Sequence, residues 1–169
     1  MPMKSEKGEH MKKAVVCVSF GTSVDAARKS ITAVEDALRC IEPDCLFVRA
    51  FTSSIIRRIL AERGEKVPSV PEALESLRNQ GVRDVLVQPT HILYGHEYDK
   101  IKAEAQPWQN RFDSLRIGRP LMADTEDIKA LTAAISEAYP YCEDETLVLF
   151  GHGTDHFANA VYPALQTAF

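Results

Sequence analysis

The segment Gly151-His152-Gly153 contains the residue types that point most directly to chemistry. A glycine on each side allows a tight backbone turn and lets a bulky ligand approach the ring. A neutral imidazole can accept a proton or bind a divalent first-row metal ion. The alternative is a histidine that caps the next helix or hydrogen-bonds a neighbouring loop, and position alone does not decide between the two. We take His152 as the candidate catalytic residue and metal ligand.

Three further histidines lie in the predicted loops 90–97 and 151–156. His91 and His96 lie on one polar loop, where we expect His91 to face inward at a strand end and His96 to be solvated. His156 follows His152 at the spacing of a helical metal pair. Because Gly153 precedes the predicted helix, we expect His156 to be a surface residue of its first turn.

Three arginines form the other candidate group. Arg57 and Arg58 lie on one short predicted helix, and Arg49 lies just upstream. Guanidinium groups recognise carboxylates, so a ligand-binding role is one interpretation. A solvated helix face is the interpretation we favour.

These residues need a scaffold, which the hydrophobic pattern predicts. Residues 13–20 form a nearly continuous apolar run, typical of a strand inside a parallel sheet. Further strands are predicted at residues 45–51, 84–89, 115–117 and 146–150. Helices are predicted to follow each strand. The first ends near residue 40, and the next are expected at 55–64 and 71–81. A further helix follows the loop 90–97 and is broken by Pro107, and the last two are expected at 125–139 and at 155–169, the latter with a kink or shortening at Pro163.

Five alternations of strand and helix predict an α/β fold. We expect a three-layer domain with a mostly parallel, four- or five-stranded sheet flanked by helices. Ligands of such folds bind at the carboxyl ends of the strands, where the sequence places loops 19–23, 90–97 and 151–156. Thr22 or Ser23 is expected to cap the first helix. The sequence has no low-complexity stretch and no short repeat.

Composition excludes several classes of partner. The 169 residues carry a net charge of -4, which argues against a nucleic-acid partner. Neither a phosphate-binding P-loop nor a dinucleotide fingerprint is present, so no nucleotide cofactor is expected, and there is no hydrolase elbow. No apolar run approaches the roughly 20 residues of a membrane span, and the first ten residues lack a signal sequence. We predict a cytoplasmic protein with four reduced cysteines, of which Cys17 is buried.

Four ordered segments resemble the anaerobic cobalt chelatases, which belong to the class II chelatases. The segments are VSFGTS at 18–23, RAFTS at 49–53, HILYGHEYDKI at 91–101 and FGHGTDHFANAVYPAL at 150–165. The resemblance implies two similar α/β lobes around a tetrapyrrole cleft. It also implies ATP-independent insertion of cobalt(II), the substrate metal, into sirohydrochlorin or precorrin-2 in cobalamin biosynthesis.

The resemblance also assigns residues and boundaries. His152 matches the family histidine that binds the metal and accepts pyrrole protons, whereas the other two ligands lie in a second lobe. The implied division is a disordered tail at 1–11, an N-terminal lobe at 12–154, and the start of a connecting helix at 155–169. We therefore expect the chain to need a second lobe, or another copy of itself, and to be inactive alone.

Substrate contacts are expected at the three loops. Phe20 and Tyr94 can contact the tetrapyrrole ring, and backbone N–H groups after Gly21 can receive its carboxylates. The full set of expected substrate-binding residues is Ser19, Phe20, Gly21, Thr22, Ser23, His91, Tyr94, Gly151 and Gly153. Imidazole suits cobalt, nickel and iron alike, so residue types do not select the metal.

Two other functions remain as alternatives. One is phosphoryl transfer through a histidine nucleophile, but such enzymes usually show Arg-His-Gly after the first strand, where this chain has Phe20-Gly21-Thr22. The other is a non-catalytic module that binds a tetrapyrrole or a metal. A turnover assay with Co²⁺ and sirohydrochlorin separates an enzyme from such a module.

Overall fold

The computed structural model describes residues 13–140 and 144–169. The tail predicted at residues 1–11, and Cys142, lie outside the described residues. Among the helices of the described residues, none is both long enough and apolar enough to cross a membrane.

A four-stranded sheet forms the centre of the fold. Its strands are β1 (Lys13–Ser19), β2 (Leu46–Phe51), β3 (Asp84–Pro89) and β4 (Ser114–Ile117). They lie in the order β2-β1-β3-β4, and every neighbouring pair is parallel. The predicted α/β fold with a four- or five-stranded parallel sheet is thereby confirmed, with four strands.

Helices connect the strands. They are α1 (Asp25–Ile41), α2 (Ser54–Glu62), α3 (Val70–Asn79), α4 (His96–Ala105), α5 (Thr125–Ala138) and α6 (Val161–Thr167), together with 3-10 helices at Gln106–Arg111 and Phe157–Ala160. Ser69 is the N-cap of α3 and forms a capping box with Glu72. Pro107 lies in the 3-10 helix that follows α4, so the predicted break is confirmed.

The core explains why β1 reads as apolar on both faces. Successive side chains of a strand point to opposite faces, and all residues of β1 after Lys13 are buried. Val16 and Val18 are fully buried in the main cluster with Leu74 of α3 and Ile101 of α4. A second, smaller cluster joins Phe51, Leu60 and Val67 to α1. Both faces of the sheet are therefore covered, as in a three-layer domain.

The predicted fifth strand at residues 146–150 was wrong for this chain. The segment has no strand pairing, and Val148 and Phe150 are 76% and 99% exposed. A strand forms only where its backbone N–H and C=O groups find partners in a neighbouring strand. No strand among the described residues provides them for this segment.

The chain after Phe150 also differs from prediction. The helix expected over residues 155–169 begins later, because residues 157–160 form a 3-10 turn and α6 starts only at Val161. Pro163 then lies in the first turn of α6, where its missing N–H costs nothing. Of the kink or shortening predicted at Pro163, the structure shows the shortening, since the helix spans only Val161–Thr167.

Candidate functional site at the carboxyl edge

The carboxyl ends of the three adjacent strands β2, β1 and β3 form one continuous edge. The strand pairing continues past the strands themselves. Thr52 N–H donates to Ser19 O at 2.9 Å, and Thr90 N–H donates to Val18 O at 2.8 Å. The loops that leave this edge therefore start from fixed positions, which a binding site requires.

Polar side chains at this edge are buried without partners. Ser19 Oγ, Thr52 Oγ1 and both ring nitrogens of His91 have no hydrogen-bond partner among the described residues. Burial lowers the pKa of His91, with partial opposition from the charge of Glu97, so its ring is neutral at pH 7. Unpartnered buried polar atoms are rare in folded proteins. Their presence on neighbouring strands marks this edge as a candidate ligand site, and Thr52 is the member that the sequence analysis missed.

The Gly21 turn needs its glycine for two reasons. Its φ is +92°, and a Cβ added there would lie 2.5 Å from Cδ2 of Phe51. The turn leaves Phe20 exposed beside the edge. Thr22 does not cap α1 as predicted, and neither does Ser23, since the N-cap is Val24 without a side-chain bond. Thr22 Oγ1 instead accepts from Val24 N–H at 3.1 Å, which closes the turn.

Tyr94 lies at the start of α4 and is held there by packing. Its ring meets that of Tyr98 edge to face, with centroids 4.8 Å apart. Lys100 Nζ donates to Thr52 O at 2.6 Å and ties α4 to the end of β2. Tyr94 thus lies in the loop between β3 and α4, three residues after His91.

His152 is exposed on the loop before the second 3-10 helix rather than at the end of a paired strand. Its Nδ1 lies 3.0 Å from Gly153 O. A carbonyl oxygen only accepts, so Nδ1 carries the proton of the neutral ring and Nε2 keeps its lone pair. Gly151 is required by contact, because a Cβ there would lie 2.5 Å from Cε1 of Tyr162. The arrangement leaves one imidazole nitrogen available to a metal ion or a proton.

A pair of His–Asp contacts ties the loop of His152 to α4. His96 Nε2 lies 2.7 Å from Asp155 Oδ1, and His156 Nε2 lies 3.2 Å from Asp99 Oδ2. The two imidazole rings also meet edge to face, with centroids 4.9 Å apart. The hydrogen bond and charge of His96 lower the pKa of Asp155. The pKa of Asp99 is lowered mainly by Lys102 and further by His156.

These contacts revise two sequence-based expectations. His156 is not a surface residue of a first turn: its side chain is 9% exposed, and it caps the 3-10 helix by accepting from Ala158 N–H at 3.1 Å. His96 is exposed as expected, but it is bonded to Asp155. Within residues 13–140 and 144–169, no three His, Cys, Asp or Glu side chains are arranged to hold a metal ion. His152 therefore lacks further protein ligands in this part of the chain.

Arg49 has a structural role. It forms a two-pronged ion pair with Glu35, with Nε–Oε1 at 2.7 Å and Nη2–Oε2 at 2.5 Å, and Glu35 is almost fully buried. This pairing raises the pKa of Arg49. A buried carboxylate needs such a partner, so Arg49 is occupied between α1 and β2 and is not available to a ligand.

The two glycine turns repeat one another. Gly21, Thr22 and Val24 recur at a constant interval as Gly153, Thr154 and His156. Gly153 has a φ of +72°, and His156 N–H donates to Thr154 Oγ1 at 3.1 Å, as Val24 N–H does to Thr22. At the same interval Phe20 corresponds to His152. The interval is too long for a short repeat, and a Gly-Thr pair after an apolar run was the only sequence signal.

The domain belongs to the class of open parallel α/β folds, and polar side chains without a partner among the described residues lie at the carboxyl edge of its sheet. A solved structure of similar fold is the putative cobalamin (vitamin B12) biosynthesis CbiX protein from Marinobacter aquaeolei VT8. It matches with a TM-score of 0.53 and 14% identity, over 75% of this chain and 93% of that protein. This likeness establishes the fold alone, a single α/β lobe of that kind.

The chain belongs to the cobalt chelatase (CbiK) family, whose sequence profile matches residues 13–169. The sirohydrochlorin cobaltochelatase of Salmonella typhimurium is 40% identical over 159 residues, which span 92% of this chain and 60% of that protein. The sirohydrochlorin cobaltochelatase CbiKC of Nitratidesulfovibrio vulgaris is 33% identical over 158 residues, or 91% of this chain and 56% of that protein. The chain thus spans somewhat more than half the length of these curated relatives.

Proposed function

We propose that the protein containing this chain is a chelatase that inserts Co²⁺ into sirohydrochlorin or precorrin-2 for cobalamin biosynthesis, without ATP and in the cytoplasm. The observation that carries this proposal is the free Nε2 of His152 between two glycines. Membership of the cobalt chelatase family, and the names of the relatives, supply the metal and the substrate.

His152 is the proposed proton acceptor and metal ligand. Insertion exchanges one Co²⁺ for two pyrrole N–H protons, so the site must bind the ion weakly and remove protons. A neutral imidazole can do either through Nε2, and an exposed ring can pass each proton on to water. The imidazolium form can do neither, so insertion is expected to slow in acid.

The carboxyl edge is the proposed substrate platform. Phe20 and Tyr94 offer aromatic faces to the macrocycle, and the Gly21 turn allows its close approach. The buried hydroxyl of Ser19 and the neutral ring of His91 offer hydrogen bonds. The remaining proposed contacts are Thr22, Ser23, Gly151 and Gly153.

A second lobe is needed to complete this site. The repeat of the Gly21 turn suggests that residues 144–167 begin a second unit like that of β1 and α1. On this proposal the lobe boundary lies before residue 144, whereas the resemblance implies a boundary at residue 154. The missing sheet partners of residues 146–150 would come from further sequence or from another copy of the chain. Either would also add the metal ligands that His152 lacks.

The test is a chelation assay with Co²⁺ and metal-free sirohydrochlorin, followed by the absorbance of the macrocycle. We expect turnover by a protein that contains a second lobe, and no turnover by the 169-residue chain as a monomer. A control variant is Arg78→Ala, which removes an exposed side chain from the last turn of α3 and should leave the rate within about threefold. Binding of sirohydrochlorin without insertion by the two-lobed protein would instead identify a non-catalytic tetrapyrrole-binding module.

A further inference from the structure

A cationic pocket lies apart from the residues assigned above. It occupies about 430 Å³ between α2 and the loop that leads into α3. Arg57, Arg58 and Lys66 line it, together with Ser54 and Glu72. Three cations face one carboxylate, so the pocket carries an excess of positive charge.

The single carboxylate of the pocket is already occupied. Glu72 Oε2 accepts from Ser69 N at 2.7 Å and Ser69 Oγ at 2.6 Å, and it pairs with Arg57 Nη1 at 3.0 Å. The contacts with Ser69 are the main reason that the pKa of Glu72 is lowered. Glu72 is therefore committed to the start of α3 and neutralises only part of the local charge.

Within the described part of the chain, the three cations of the pocket have fewer hydrogen-bond and ion-pair partners than Glu72. Arg57 Nε is buried and makes no hydrogen bond in the described part of the chain. Arg58 and Lys66 line the same pocket and form no ion pair with any described residue. An unpaired buried guanidinium nitrogen is costly unless a ligand reaches it.

Helix α2 adds to the positive potential. It begins at Ser54, which lines the pocket, and Ser53 caps it by accepting from Ile56 N–H. The free N–H groups of the first turn therefore lie next to the cations, where they favour an anion. The helix starts just after Phe51, the last residue of β2, so the pocket adjoins the carboxyl edge of the sheet.

We propose that this pocket is an oxyanion-binding site, in which Arg58, Lys66 and the free side of Arg57 hold a carboxylate or phosphate group. Guanidinium groups match the spacing of two oxygens of such an anion. Occupation by a carboxylate of the tetrapyrrole rests on the proposed function, whereas occupation by a free phosphate does not. Arg57 would then hold an anion on one side and Glu72 on the other.

The test measures binding of inorganic phosphate to the full chain by isothermal titration at low ionic strength. We expect saturable binding that Arg58→Ala and Lys66→Ala each weaken by roughly three- to tenfold. Arg78→Ala is the matched control, since it removes an exposed arginine from the far end of α3 and should leave binding unchanged. Both target residues are exposed, so far-ultraviolet circular dichroism should report an unaltered fold.

A second arm identifies the source of the anion. Metal-free sirohydrochlorin that displaces phosphate from the wild type, but less effectively from Arg58→Ala, would assign the pocket to a tetrapyrrole carboxylate. Phosphate binding without such displacement would assign it to a free phosphate. Absence of saturable phosphate binding, or equal weakening by Arg78→Ala, would overturn the proposal. Either result is independent of the chelation assay, so failure of this site and failure of the proposed chelatase are distinguishable.

Discussion

The turns at Gly21 and Gly153 have the same local structure in different surroundings. In each, a glycine with positive φ precedes a threonine whose hydroxyl accepts from the backbone two residues later at 3.1 Å. The strand before Gly21 lies at the centre of the sheet and is buried, whereas residues 146–150 have no partner strand. The turn is therefore determined by its local sequence, whereas the strand forms only where a neighbouring strand supplies backbone hydrogen bonds.

The side chains show the same contrast. Val16 is fully buried and its counterpart Val148 is 76% exposed, although both belong to runs of similar hydrophobicity. Contiguous exposed apolar side chains indicate an interaction surface. The second unit thus has the sequence of an internal strand without the neighbours of one, which supports the proposed need for a second lobe.

The largest expected difference between the two units concerns thiol reactivity. Burial raises the pKa of Cys17 to about 12. At pH 8 only about one Cys17 thiol in ten thousand is then ionised. The counterpart of Cys17 is Leu149, which is exposed. In a Leu149→Cys variant, iodoacetamide should label residue 149 roughly a thousandfold faster than Cys17. Peptide mass spectrometry measures both rates in one sample, and equal rates would show that residues 146–150 are buried.

The next difference is catalytic. In the complete protein, His152→Ala should lower the rate of cobalt insertion by at least ~100-fold, as expected for a positioned acid–base group. Its counterpart Phe20 is proposed to contribute only a ring contact to the substrate, so Phe20→Ala should raise KM more than it lowers kcat. Steady-state kinetics of both variants with sirohydrochlorin separate these effects. Near-normal insertion by His152→Ala would refute the assignment of this residue.

A third difference is in stability. Val16→Ala removes two buried methyl groups and should lower the free energy of unfolding by about 2 kcal/mol. Val148→Ala changes an exposed side chain and should stay within about 0.5 kcal/mol of the wild type. Urea denaturation of the full chain, followed by circular dichroism, gives both values. Equal destabilisation would mean that Val148 is packed in solution, for example against another copy of the chain.

The same contrast separates the strands that could be predicted from sequence from the one that could not. The four strands that pair with one another were predicted from their short apolar runs, although only β1 is buried on both faces along its length. Residues 146–150 show the same pattern, but no pattern reveals whether a partner strand is present. The tight turn at residues 151–153 was likewise predicted from its two glycines.

Contacts between distant segments were not predictable. The Arg49–Glu35 pair depends on how α1 packs against β2. The sequence does not show this packing, so Arg49 was considered as a group that could bind a ligand carboxylate. The His96–Asp155 and His156–Asp99 contacts depend on where the loop of His152 meets α4. Single histidines and aspartates carry no sequence signal for such pairing, because surface His and Asp are common.

The smallest expected difference is the pH response of the loop. Only the second turn is tied to α4 by His–Asp contacts, and the hydrogen bond from His96 lowers the pKa of Asp155. A carboxylate with a lowered pKa stabilises the folded contact above its ordinary pKa, near 3.9, and loses that effect as pH falls through the folded value. Amide exchange at residues 154–158, corrected for its intrinsic pH dependence, should therefore speed up below about pH 4, while exchange at residues 22–26 should not. Because both side chains are largely exposed, the effect should stay local and leave the midpoint of urea unfolding unchanged. Asp155→Asn should weaken the acid dependence at residues 154–158, and Asp155→Asn combined with Asp99→Asn should abolish it, because His156 also contacts Asp99. An unaltered acid response in the double variant would show that the His–Asp contacts do not hold the loop.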